Sequence, residues 1–286
     1  MPYLYVILAA VLFGGAPTVQ RLVLLTGVTP EALMVISNCV MVVCALLLCA
    51  VKHYSLRVTG RQRFQLMLLG VAMASTGLLL NHSYAYIPVG FVTMIHFLYP
   101  TVVCVAMALL FRQRLTPLKC AAIAVSLGGL ALLGGGGAMG EGGGLGILLA
   151  ALSSLTYAAY VIFSDKGAVG GLPLLVRLAY AAGTSMVVCL CAALLSDGVF
   201  PADGQTWLLG ACAGLLLGSG YFFLSCGIKG LGATTAAFIN MLEPVTSLAL
   251  SALVYRYAIA PRSAWGSALL LGSVLLIALD GRRRAK

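Results

Sequence analysis

The sequence predicts an all-α integral membrane protein whose ten transmembrane helices form two inverted five-helix repeats. Three observations carry that prediction. Of the 286 residues, 62% are hydrophobic and only 8% are charged, against about 25% charged in a water-soluble domain. Too few polar groups exist to cover a globular surface, so lipid has to be the solvent. Apolar runs of about 20 residues, the length that crosses a ~30 Å hydrocarbon core, recur ten times. The second half of the chain also repeats the first at a fixed offset.

The runs lie at 3–25, 31–51, 65–86, 89–111, 117–134, 144–164, 173–195, 206–227, 233–255 and 261–279. The first, "MPYLYVILAAVLFGG", has no basic leading region and no clear small-residue cleavage site. It reads as a retained span rather than a signal peptide. The gaps are short, and the longest polar one, "KHYSLRVTGRQRF" (52–64), reads as a loop. Near the midpoint "GGGGAMGEGGG" has the composition of a flexible linker. It divides a first repeat, 1–134, from a second, 144–286, through a linker at 135–143.

Lysine and arginine set the orientation. With the N-terminus in the cytoplasm, fourteen basic residues fall on the inner side, among them Lys52, Arg57, Arg61, Arg63, Arg112, Lys119, Arg177 and Lys229. Three, Arg21, Arg256 and Arg262, fall outside. Both termini are therefore expected to be cytoplasmic, in an inner (plasma) membrane of bacterial type. The net charge of +10 does not point to nucleic acid, because the basic residues sit in short gaps between apolar runs. The nine cysteines form no C-x-x-C and no Cys/His cluster, so they read as small packing residues. No metal or other cofactor is implied.

A shift of 144 residues lays "LYPTVVCVAMALLFRQRLTP" (98–117) on "LEPVTSLALSALVYRYAIAP" (242–261) without a gap. Leu98 meets Leu242, Pro100 meets Pro244, Arg112 meets Arg256 and Pro117 meets Pro261. Ala124 then meets Ala268, and Gly128 meets Gly272. Five spans per half is odd, so the second copy enters the membrane the other way up, as in many membrane carriers. Spans 4 and 9 face each other across the pseudo-two-fold axis. Pro100 and Pro244 fall mid-span, where proline frees a carbonyl and bends the helix. Inside a membrane that carbonyl needs a protein partner or a wet cavity. The two prolines are therefore the candidate gating kinks around a shared cavity.

Polar residues at helical spacing mark the candidate cavity. In span 9, Asn240, Glu243, Ser247 and Ser251 form one stripe. Glu243 is the one acidic residue deep inside a predicted span, and a carboxylate at that depth costs ~3 kcal/mol or more unless paired or hydrated. It is a candidate to bind a cationic group on a cargo or to take up and release a proton. The alternative is a brace that hydrogen-bonds across the Pro244 kink. In span 4, Thr93, His96 and Tyr99 share a face; the shift pairs His96 with Asn240 and Tyr99 with Glu243. His96 is the second proton-coupling candidate. Tyr157 in span 6 and Tyr221 in span 8 are too deep for an interfacial belt and suit a wall that stacks on a planar or cationic cargo. Tyr84 and Tyr86 read as an aromatic belt, and Arg177 as a side chain that snorkels to the interface. Gly210, Gly214 and Gly218 form a ridge for close helix packing, and Gly128 and Gly272 are expected to pack spans 5 and 10. A monomer and a homodimer are both compatible with these features.

The ten spans, the inverted halves, the "LYP" and "LEP" segments, the basic residue and proline at the following loop, and the glycines of spans 5 and 10 resemble the EamA type of the drug/metabolite transporter superfamily. The resemblance covers nearly the whole chain. It implies a central cavity lined mainly by spans 1, 3, 4, 6, 8 and 9, and a small-molecule substrate. Members carry amino acids, nucleosides, sugars, polyamines and drugs. Family frequency favours efflux of an amino acid or related metabolite by alternating access. A passive facilitator or channel, and an exporter of drugs or other cationic compounds, are the alternatives. No H-E-x-x-H, G-x-S-x-G or phosphate-cradling loop is present, so no enzyme is expected.

Overall fold

The computed structural model describes residues 1–84, 86–87, 89–113, 116–134, 143–255 and 261–284. Residues 135–142 of the expected 135–143 linker, Arg114 and Arg256 lie outside the described residues, as does the side chain of Ser251; Gly143 already begins a helix. The described residues are helical. The first half contains α1 (Pro2–Leu24), α2 (Pro30–Val51), α3 (Gly60–Ser83), α4 (Val89–His96), α5 (Tyr99–Phe111) and α6 (Pro117–Gly134). The second contains α7 (Gly143–Asp165), α8 (Leu174–Leu195), α9 (Gly204–Leu231), α10 (Ala233–Ile239), a 3₁₀ turn over Asn240–Leu242, α11 (Glu243–Tyr255) and α12 (Pro261–Arg284).

Proline and capping chemistry place the helix starts. Pro2 and Pro30 lie in the first turns of α1 and α2, and Pro117 and Pro261 open α6 and α12. At a first turn the missing N–H costs nothing and the fixed φ helps. Asp203 caps α9 by accepting from Thr206 N–H at 2.9 Å and Thr206 Oγ1–H at 2.7 Å. Helix α3 begins at Gly60, five residues before the expected 65. Thr59 and Gln62 form a reciprocal capping box there, which carries the helix into a stretch whose arginines read as loop.

Seven described helical segments are long and apolar enough to cross a membrane, counting 233–254 as one. Three more apolar helices, Tyr99–Phe111, Pro117–Leu132 and Pro261–Ile277, are shorter. Span 4 is split into α4 and α5, so its single apolar run is two short helices. Leucines 46, 47, 109, 110, 194, 253 and 275 are exposed, a surface that water would not tolerate and lipid does.

The packing follows the repeat. Helix α1 packs on α9 and α3 on α7, which exchange when the halves are swapped. The pairs α2·α8 and α6·α12 each map onto themselves, and α4·α6 exchanges with α10·α12. A pseudo-two-fold relation predicts this pattern of contacts. The core between the halves gathers Tyr99, Val103, Met107, Phe238, Ile239 and Met241.

The glycine expectations divide. A Cβ on Gly214 would lie 2.7 Å from Ser37 O and 2.9 Å from Ser37 Cα, and one on Gly218 2.8 Å from Met41 Cγ. Gly210 meets Ile36 at 3.1 Å, so this ridge packs on α2. Gly272 has nothing within 4 Å, and Gly128 meets only Leu269 at 4.0 Å. The close α6–α12 approach belongs instead to Gly129, whose Cβ would lie 2.8 Å from Gly266 O. The helices are rotated by one residue from the face that the shift suggested.

Candidate functional site

Both mid-span prolines restart helices rather than bend continuous ones. Pro244 has no N–H to give the Asn240 carbonyl. Glu243 N–H bonds that carbonyl instead, three residues on, and the chain tightens into a 3₁₀ turn. Pro100 likewise has no N–H for the His96 carbonyl. Leu98 N–H bonds Ile95 O at 3.1 Å, and Thr101 N–H bonds Leu98 O at 3.0 Å. Pro100 and Pro244 thus occupy the first turns of α5 and α11, which corrects the expectation of mid-helix kinks.

The two breaks bring their flanking residues together. Asn240 Nδ2 donates to Glu243 Oε2 at 3.0 Å and to Tyr99 Oη at 3.2 Å. Tyr99 Oη–H donates to Ala237 O at 3.2 Å. The chain Glu243–Asn240–Tyr99–Ala237 therefore ties span 9 to span 4 across the pseudo-symmetry axis. Tyr99 and Asn240 are each 0% exposed and stand behind the residues that line the cavity, where they hold Glu243. Replacing Tyr99 by Phe leaves the Ala237 carbonyl and one Asn240 N–H without that partner. A buried unpaired group costs about 1–3 kcal/mol, so Tyr99→Phe is expected to lower the thermal midpoint in detergent by several degrees.

Glu243, His96, Tyr157 and Tyr221 all line one cavity of about 410 Å³. Thr18, Gln20, Arg21, Ser37, Asn38, Thr76, Asn81, Tyr84 and Ser247 complete its polar lining. Arg21, Leu24 and Tyr84, at the ends of α1 and α3, and Glu243 and His96, at the helix breaks, all line it. His96 Nδ1 lies 3.0 Å from Ser153 Oγ, which itself donates to Ala150 O at 2.7 Å. That assigns the ring proton to Nδ1 and leaves Nε2 as an acceptor. Tyr157 packs on Tyr99 and His96 with ring centroids 4.6 and 5.4 Å away. Tyr160 lies 6.2 Å from Tyr157 and 5.1 Å from Tyr221, and Phe13 lies 5.0 Å from Tyr221. These rings form a continuous cluster, of which Phe13, His96, Tyr157 and Tyr221 make the aromatic floor of the cavity.

Two expectations change. Tyr84 lines the cavity instead of belonging to an interfacial belt. Arg177 is 5% exposed and donates through Nη2 to Ser164 O at 2.8 Å. It docks on the last turn of α7, where a cation meets the negative end of a helix, so it does not snorkel.

Sequence reasoning missed Glu31. It lies at the start of α2, is 4% exposed, and its Oε1 is 2.7 Å from His82 Nε2 on α3. The pair clasps two helices beside Met34 and Asn81 at the cavity rim. An acidic residue at a span end followed by a histidine at another span end was the available signal. Glu31→Gln is expected to raise accessibility of a cysteine placed at Asn81 to a membrane-impermeant thiol reagent by severalfold; unchanged labelling would show the clasp does not hold the rim.

No group of three or more His, Cys, Asp or Glu side chains among the described residues is placed to hold a metal ion. The profile of the EamA-like transporter family matches residues 1–135 and again 144–279. The chain belongs to the EamA-like transporter family. As an EamA-like protein it is a multi-pass membrane transporter of small solutes. A solved crystal structure overlays the EamA-like chain with a TM-score of 0.85 at 18% identity, covering 100% of this chain and 99% of that one. That likeness shows the fold. No curated protein matches the sequence significantly.

Proposed function

We propose that this EamA-like protein is a secondary transporter that moves a small amine-bearing organic solute, such as an amino acid or related metabolite, by alternating access. The supporting observation is the cavity itself: about 410 Å³, floored by aromatic rings, with the Glu243 carboxylate at its base. A carboxylate among rings suits a cationic group, which gains from both the charge and the ring faces.

In this reading the chain crosses the bilayer ten times, with α4–α5 and α10–α11 each making one broken crossing. Both termini lie in the cytoplasm of an inner membrane, and the cavity faces outward. The two halves rock about the helix breaks at Pro100 and Pro244, closing the mouth and parting the aromatic floor. Glu243 exchanges a proton for the cargo's cationic group, held in register by Asn240 and Tyr99.

Reconstitution in liposomes tests this, with labelled amino acids, amines and nucleosides, each with and without an imposed proton gradient. Saturable flux of an amine-bearing solute that responds to the gradient supports it. Non-saturable flux of many solutes points to a channel. Preference for bulky apolar cations points to a drug exporter.

A further inference from the structure

A second crevice of about 320 Å³ lies away from the central cavity, between α2, α8 and the loop after α2. Its lining is Leu46, Leu56, Ala179, Tyr180, Gly183, Thr184 and Val187, with no charged side chain. From Ala179 to Val187 it runs along two turns of α8, about 12 Å at 1.5 Å per residue. It is an apolar surface crevice that runs along α8.

The loop that closes one end is basic. Helix α2 ends with His53 in the left-handed region (φ 52°) and with Tyr54 N–H on Cys49 O at 2.9 Å, a turn that folds the chain back on itself. Tyr180 Oη–H, from the crevice wall, donates to Leu56 O at 2.9 Å and pins the loop there. Lys52, at the end of α2, and Arg57, next to the pinned residue, are exposed. One hydrogen bond thus fixes the loop that carries these cations to the crevice wall.

We propose that this crevice binds one anionic phospholipid, with an acyl chain along α8 and the phosphate on Lys52 and Arg57. An acyl chain matches the length and apolarity of the crevice. Lys52 and Arg57, on the segment whose Leu56 lines the crevice, match a headgroup with net negative charge, which a zwitterionic lipid lacks. Basic pockets at helix ends select anionic headgroups in this way. The site is separate from the solute cavity and does not depend on which solute is carried.

Native mass spectrometry of the full-length protein in mild detergent tests it, with phosphatidylglycerol and phosphatidylcholine of matched chains. Wild type is expected to retain one phosphatidylglycerol in preference to phosphatidylcholine by roughly tenfold or more, given about 1 kcal/mol for each cation. Lys52→Gln with Arg57→Gln should remove the preference. Gly183→Leu should remove the bound lipid altogether. Its Cβ would meet nothing nearer than Val42 Cγ2 at 3.9 Å, so the fold tolerates the start of a side chain that then fills the crevice. Equal retention of both lipids by wild type overturns the proposal. So does a Gly183→Leu protein that keeps phosphatidylglycerol, since the headgroup would then be held by surface charge alone. A midpoint measured by thermal unfolding confirms that each variant is folded.

Discussion

Glu243→Gln is expected to abolish the response of solute flux to a proton gradient and to weaken binding of an amine-bearing solute by roughly tenfold or more. The substitution keeps the shape and the contact with Asn240 Nδ2, 3.0 Å away in the native protein, but removes the carboxylate that the proposed cycle protonates. A hydrogen bond to a charged group is worth about 1.5–3 kcal/mol, which sets the expected loss of affinity. Binding in detergent at fixed pH reads the first effect. Counterflow in liposomes, which needs no net proton movement, separates a slow carrier from an uncoupled one. If Glu243→Gln slows transport but the gradient still drives it, the carboxylate is a brace beside the helix break. Proton coupling would then have to be sought at His96.

Gly14→Val is expected to cost the fold more than any cavity-lining substitution. A Cβ at Gly14 would collide with Thr246 Oγ1 and would lie 2.9 Å from both Glu243 O and Ser247 N. Thr246 Oγ1 is 2.9 Å from Ala10 O and 2.8 Å from Glu243 O, its acceptors. Helices α1 and α11 therefore cross at backbone contact directly behind the candidate binding carboxylate. Overpacking a close crossing costs about 1–3 kcal/mol and often more. The thermal midpoint in detergent should fall by roughly 5 °C or more, with loss of solute binding as Glu243 is displaced. A variant that is stable and binds solute normally would show that α1 and α11 have room to separate.

These two predictions differ in how far sequence alone could reach them. Glu243 is legible because a carboxylate inside a 20-residue apolar run is costly wherever it points, and that cost depends on composition alone. Gly14 is not legible. It is one of 34 glycines, and its importance comes from a helix 230 residues away. The same contrast holds for the other residues. Pro100 and Pro244 announce breaks because proline lacks an N–H in any context. Their placement at helix starts depends on which neighbouring N–H groups take the vacated carbonyls. The spacing of Asn240 and Glu243 puts them on one face, but only the crossing of spans 4 and 9 brings Tyr99 Oη within 3.2 Å of Asn240.

The sequence by itself determined that the chain is built for lipid, that its second half repeats the first, and that proline disturbs the helix beside Glu243. Each follows from composition, period or the chemistry of a single residue. The tertiary structure decided which side chains meet. It turned Tyr84 into the cavity and buried Arg177 on α7. It also paired Glu31 with His82 and chose Gly129 over Gly128 at the α6–α12 crossing. Those outcomes depend on helix rotation and tilt, set by packing between segments far apart in the chain.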